Sequence, residues 1–446
     1  MYIKTRELVA SQKYNKKFSR LDLVVRYIFL EAMHQRGNIG YKEAKELYVK
    51  MQTKRSGTNL HRNGNTYVDE FVKLANSFEN QGYIHQFPLI VNDDNHLIDS
   101  SHRTACSIYY GINQVPIQTT SNWKKHLTNP NPVKQTYFDY GLDWFKRSGF
   151  SEYEIDLIEN KRKEIFRNLD LCFQVILWSP AIEYFQDIEN DIRREYDIID
   201  IEYYDLKEKY EEFVKEIYKV DDIADWKVNK KLEHMKSNSE VAVITLDLFS
   251  AEFRPKTQNK NKKICVQVEK IKKDIREKYR GKIDNYFYDT IIHIGDNYDH
   301  SEHTHVVLKK YRNYKLSVSH MLELSGTLSS HNIDKKDVCI VGSASMAAAT
   351  LRKNNDIDIV LKSQVRDKLF SEDSQNLSKN IELVSKNWFF CDDGISDDDI
   401  VENDLHHNIF CGYKFVDLSL LKKRKEASSK KKDIPDIELI EGYCAS

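Results

Sequence analysis

Glycine and proline are scarce, 15 and 7 of 446 residues. That excludes collagen-like and low-complexity chains and leaves little material for linkers. Cysteine is also sparse: the seven thiols are an odd number, and no two form a C-x-x-C pair. A disulfide framework and a structural zinc site are therefore not expected, and a reducing compartment is. Met1 to Glu7 has no apolar signal core, and no apolar run reaches the roughly 20 residues of a membrane helix. A soluble, cytoplasmic protein is the expectation. An excess of one charge is missing too, with 69 acidic against 68 basic residues. No global field attracts nucleic acid, so nucleic acid is not an expected partner. The basic runs Lys422-Lys423-Arg424-Lys425 and Lys260 to Lys263 read as solvated faces.

What remains is a chain of ordered segments with no internal repeat, long enough for about three domains. Helical spacing covers Leu21 to Met33 and Val68 to Phe78. Strands are expected at Phe87 to Val91, Leu97 to Asp99 and Val115 to Gln118, with a helix over Thr104 to Tyr110. A helical connection spans Trp144 to Arg167. Further strands are expected at Cys172 to Leu177, Ile198 to Tyr204, Val241 to Leu248 and Thr290 to His293. Helices fall between them, and Pro255 to Lys263 reads as an exposed loop. Val306 to Ser330 reads as helical. The expected class is multidomain α/β and α+β, divided at 1–145, 146–330 and 331–446.

The last part carries the strongest pattern. Val341-Gly342-Ser343-Ala344-Ser345 ends a strand in a small-residue turn, and Asp356-Ile357-Asp358-Ile359-Val360 follows in the next strand. Strand side chains alternate faces, so Asp356 and Asp358 share one side. Two carboxylates facing a turn at a helix start suit Mg²⁺ held against a triphosphate. Asp417, in Tyr413-Lys414-Phe415-Val416-Asp417-Leu418, is the candidate third carboxylate. The Gly-Ser turn, its spacer and the Asp-x-Asp strand resemble the DNA polymerase beta-type nucleotidyltransferases in their minimal form. The resemblance implies an NTP (ATP or CTP) and Mg²⁺ as cofactors. It implies Asp356, Asp358 and Asp417 as metal ligands and catalytic groups. Gly342, Ser343 and Ser345 would line the phosphate turn. Lys431-Lys432-Asp433 and Asp436 resemble the Lys-Asp segment that closes such domains.

In the first part, Asp99-Ser100-Ser101-His102-Arg103 stands between a strand and a helix. Small residues, helix-start amides and a cation there suit a phosphate. The segment from Gly82 to Gln118 resembles the ParB/sulfiredoxin-like fold, some members of which are nucleotide-dependent kinases of small hydroxyl compounds. That implies Ser100, Ser101 and Arg103 as phosphate contacts and His102 as a catalytic group. Ser100-Ser101 stands where the kinase-like members have Gly-His. Asp69, Glu70 and Glu79 are candidate bases.

In the middle part, His293-Ile294-Gly295-Asp296 ends an apolar strand, and a strand-end imidazole can accept a phosphoryl group when an acid orients it. The order of elements from Cys172 to Lys309 resembles nucleoside diphosphate kinase, a ferredoxin-like fold. It implies His293 as the nucleophile, with Arg276 on phosphate and Asp296 as neighbour. Ser179, Ala181 and Thr290 depart from that family's lysine, aspartate and asparagine. His300, His303 and His305 read as the start of an exposed helix and not as a metal site.

Together these parts predict an enzyme that phosphorylates or nucleotidylates a small hydroxyl compound, such as a polyol or sugar for surface-glycan assembly. Its partners would be a nucleoside triphosphate and that small-molecule acceptor. The alternatives are a nucleotide-gated DNA-associated module and a toxin-type transferase acting on a protein or tRNA.

Overall fold

A computed structural model describes residues 1–56, 64–120, 139–221, 223–235, 238–248, 251–256, 259–284, 286–287, 289–370, 375–390 and 394–445. Part of the Pro255 to Lys263 stretch lies outside these residues. The fold is mixed α/β, with several small sheets and helices throughout. No helix among the described residues is long and apolar enough to cross a membrane.

The chain divides into two units, Met1–Cys172 with Asp247–Arg254, and Phe173–Leu246 with Pro255–Ser446. The helical connection after residue 145 belongs with the first unit. The physical reason is its apolar and charged packing: α5 (Glu152–Asn168) buries Ile158 and Ile165 and sends Lys161 to Glu31 at 2.8 Å.

In the first unit, α1 (Leu21–Met33) is buried nearly all round, as its apolar run requires. α2 (Tyr41–Ser56) and α3 (Gly64–Gln81) accompany it. A three-stranded sheet places β3 (Gln114–Thr119) between β1 (Tyr2–Lys4), antiparallel, and β2 (Leu89–Val91), parallel. The expected strand at Leu97 to Asp99 reduces to one bridge, Val91 to Leu97. The helix after it, α4, runs Ser101–Tyr109 and starts earlier than expected, because Ser100 takes a left-handed φ of 80° and turns the chain into it.

The second unit contains a four-stranded sheet of β4 (Phe173–Leu177), β5 (Asp197–Asp205), β6 (Glu240–Asp247) and β7 (Ile292–Ile294), in the order β7-β4-β6-β5. β4 is central and wholly buried, and both its neighbours run antiparallel to it. α6 (Phe185–Arg193) links β4 to β5. α7 (Tyr210–Tyr218) and α8 (Asp225–Glu233) link β5 to β6, and α9 (Val266–Tyr279) precedes β7. The basic stretch expected as a loop instead forms a ribbon of Phe253–Lys256 paired with Asn259–Cys265. The helix expected from Val306 to Ser330 is two helices, α10 (Tyr298–Lys310) and α11 (Met321–Ser330).

A six-stranded sheet follows. Its central strand β8 (Val338–Val341) is entirely buried, as a Val-Cys-Ile-Val run demands. β9 (Ile357–Leu361) lies antiparallel on one side of β8, and β11 (Tyr413–Val416) lies parallel on the other. β10 (Ile381–Leu383) runs parallel to β9 on its outer side. Edge strands Gln375–Asn376 and His407–Phe410 complete it. α12 (Ser343–Ala348), α13 (Leu418–Ser428) and α14 (Ile434–Ala445) cover it, with Val341, Val360, Trp388, Leu421 and Ile440 in one core.

Candidate functional site

β8 ends at Gly342, where φ is +66° and a side chain would be strained, and where a Cβ would have to push aside the Asp358 carboxylate. The register explains this approach: Val341 pairs with Asp358 across the antiparallel strands. Asn354 fixes the start of β9 by donating to the Asp356 carbonyl at 2.9 Å. Gly342, Ser343, Asp356 and Asp358 thus line one cavity of about 510 Å³.

Two expected members are elsewhere. Ser345 is buried and donates to the Ile340 carbonyl at 3.0 Å, because the second serine of a short helix turns inward. Asp417 lies at the end of β11, on the far side of β8 from β9. Its Oδ1 accepts from the Ser419 amide at 2.8 Å and caps α13. The carboxylate beside the pair is Glu382, which sits opposite Asp358 in the parallel β9–β10 register and lines the same cavity. The signal in the sequence was Ile381-Glu382-Leu383, an apolar-acid-apolar strand of the same form as Ile357-Asp358-Ile359.

Burial, then Asp356, then Glu382 raise the Asp358 carboxyl to about 6, partly offset by Arg424 and Lys425. The cations have ordered supports. Lys425 is buried and donates to Asp433 at 2.9 Å and Asp436 at 2.7 Å. Asp436 also takes Arg352 at 2.7 Å, and Ser428 donates to Asp433 at 2.7 Å. Arg424 lies 4.8 Å over the Trp388 ring and donates to the Trp388 carbonyl at 2.9 Å. The Lys-Asp segment therefore positions cations at the cavity through its two aspartates. Arg424 and Lys425 belong to the basic run expected to be a solvated face, and the structure instead lines the cavity with them; Arg352 was not singled out in the sequence, since an isolated basic residue carries no pattern. Among the described residues no group of three His, Cys, Asp or Glu side chains is set to hold a metal ion on its own.

The N-terminal candidates are engaged within the chain. Arg103 donates to the Phe87 carbonyl at 2.5 Å, the Pro88 carbonyl at 3.0 Å and Ser100 Oγ at 2.5 Å, so it clamps the preceding loop. Ser101 Oγ accepts from Arg20 at 2.6 Å. His102 Nε2 lies 2.8 Å from the Tyr48 hydroxyl and 3.1 Å from Gln52 Nε2, with its ring against Phe71. Burial, then Arg26 and Arg55, push its pKa well below the usual imidazole range, so the ring is neutral and accepts at Nε2. Beneath it, buried Asp22 binds Arg20 at 2.8 Å and Arg26 at 2.9 Å, with Arg55 at 3.6 Å. Glu79 is exposed on α3, 3.9 Å from His34.

His293 is buried on β7 and lines a second cavity with Arg276. The acid beside its Nδ1 is Asp221, at 3.7 Å. Asp296 is not that acid, because Lys272 at 2.7 Å and Lys256 at 3.3 Å hold it. Burial lowers His293 to about 4, against the pull of Asp221. Arg276 pairs with Asp289 at 3.0 Å. His300, His303 and His305 lie on α10, and His303 Nε2 is 2.8 Å from the Glu216 carbonyl of α7.

No protein-family model, curated protein or solved structure matches this chain.

Proposed function

We propose that the cavity around Asp356 and Asp358 is the active site of a nucleotidyltransferase acting on a small hydroxyl compound. The observation that carries the reading is the Gly342 turn seated against Asp358, with Asp356 and Glu382 beside it and Arg352, Arg424 and Lys425 lining the same cavity. A triphosphate is recognised there by cations and turn amides, and a divalent cation by carboxylates. Mg²⁺ is commonly bound through one or two carboxylates plus substrate phosphates, so the lack of a closed protein cage suits it. Asp356 and Asp358 would hold it, and its charge would be neutralised jointly with that of the triphosphate. The raised Asp358 pKa supports a place for a cation: two carboxylates and a nearby glutamate repel one another until positive charge arrives.

In the reaction the acceptor oxygen bonds to the α-phosphorus, the bond from that phosphorus to the bridging oxygen breaks, and pyrophosphate leaves. We assign the acceptor's hydroxyl proton to Glu382, an exposed carboxylate beside the pair that would hold the cation. The order β7-β4-β6-β5 is that of a ferredoxin-like sheet and supports the kinase-like reading of that fold, without its chemistry. A kinase step at the N-terminal turn is not part of the proposal, since Ser101, His102 and Arg103 already have partners in the chain.

The test is pyrophosphate release from each NTP with Mg²⁺ over a panel of polyols and sugars, with protein and tRNA as comparison acceptors. Release that requires a small acceptor and disappears in Asp358→Asn is expected. Equal release by wild type and variant with every acceptor would refute the assignment.

A further inference from the structure

The cavity beside β7, about 500 Å³, is chemically unlike the rest of this near-neutral chain. Six lysines and Arg276 line it, against the three carboxylates Asp221, Asp289 and Asp296. Each carboxylate is already engaged: Asp296 by Lys272 and Lys256, Asp289 by Arg276, and Asp221 by His300 and His293 at 3.4 and 3.7 Å. With seven cations against three anions, the lining carries an excess of four positive charges. Lys231 is 5 % exposed, and its Nζ meets the Tyr218 hydroxyl at 3.4 Å and the Tyr218 ring at 4.5 Å. Burial lowers its pKa. Nε2 of His293, a side chain 5 % exposed, has no hydrogen-bond partner. Cations and polar atoms buried this way are costly unless a ligand compensates them. On the rim, Trp226 is 63 % exposed and offers a planar apolar face.

We propose that this cavity binds, without covalent chemistry, a linear chain of two or more phosphates, either inorganic or carried on a nucleoside. Concentrated, multiply negative charge in a compact ligand matches an excess of lysine and arginine in a cavity of this size. Lys231 and Arg276 contact the chain. The site shares no lining residue with the Asp358 cavity, so it stands apart from the nucleotidyl-transfer reading.

The experiment uses the full chain carrying Arg352→Gln and Arg424→Gln, in EDTA, which takes from the other cavity two of the cations that would hold a triphosphate. Inorganic tripolyphosphate is titrated by calorimetry, and ATP in a second arm. One equivalent should bind, and Lys231→Met and Arg276→Gln should each weaken it about tenfold or more. Lys215→Met, an exposed helix lysine paired with Glu211 outside the cavity, is the control and should leave binding unchanged. Lys231→Met removes a buried charge and should retain the fold, which a melting curve checks. Equal affinities for ATP and tripolyphosphate would assign recognition to the phosphates alone, and tighter ATP would add the nucleoside at Trp226. No heat with tripolyphosphate, or a Lys215→Met loss equal to that of Lys231→Met, would overturn the proposal.

Discussion

Asp358 stands directly opposite Glu382 in a parallel strand pair, and the glutamate adds to the cost of ionising the aspartate. Asp358 has a folded pKa of about 6 against an ordinary 3.8. The native state binds that proton more tightly, so stability falls as pH rises from the lower value to the higher and is level above it. Asp358→Asn should therefore stabilise the metal-free protein at neutral pH, by about 1–3 kcal/mol, and by nothing at acidic pH. Melting curves across this range check it. Added Mg²⁺ with NTP should raise the melting temperature of the wild type by more than that of Asp358→Asn, in which only the cavity beside β7 is left to bind it.

Loss of a carboxylate that holds the cation should be severe. Asp356→Asn and Asp358→Asn should each lower pyrophosphate release by more than about a hundredfold, exceeding the effect of outer-shell changes. Asp417→Asn should stay near wild type, because asparagine caps a helix as well as aspartate does. A strong defect in Asp417→Asn with the fold intact would return that residue to the site.

Gly342→Ala tests the turn itself. The substitution meets both a positive φ and the Asp358 carboxylate, so it should destabilise by more than about 1 kcal/mol and abolish transfer. Gly442→Ala, on α14 with open space where a Cβ would sit, is the contrasting control and should leave transfer unchanged and stability equal or slightly higher.

In the first unit, Asp22 is wholly buried among Arg20, Arg26 and Arg55, and the arginines hold its carboxyl well below the usual range despite burial. Asp22→Asn leaves buried guanidinium groups unpaired and should cost about 3–5 kcal/mol. Its folded pKa is depressed, so the stabilisation is present above the ordinary carboxylate pKa and is lost as pH falls through and below it. The variant should consequently approach wild type in strong acid, which denaturant titration at several pH values would show.

The local part of the site was legible and the assembled part was not. Gly342, Asp356 and Asp358 belong to adjacent strands joined by a short helix, so spacing and alternation suffice to gather them. Glu382 arrives on a strand whose neighbour is set by sheet order, which alternation does not encode. Asp417 had the same local credentials, a carboxylate at the end of an apolar strand, but its strand joined the opposite side of β8. The same limit explains His293. Asp296 was the acid nearest in sequence, whereas Asp221, from the turn after α7, is nearest in space. Arg103 illustrates a different failure. A cation at a helix start suits phosphate, yet here the loop carbonyls of Phe87 and Pro88 take its donors first.

The excursion of Asp247–Arg254 into the first unit also governs how the protein can be dissected. Arg162, on α5, is buried and finds Asp247 at 2.6 Å, so a counter-charge of the N-terminal unit is encoded well downstream of it. A gene fragment stopping at Cys172 would omit that aspartate, the nearer of the two carboxylates paired with Arg162, Glu159 lying at 3.2 Å. No single cut in the polypeptide separates the halves cleanly. Dissection calls for a circularly permuted or grafted chain that carries the short returning segment along.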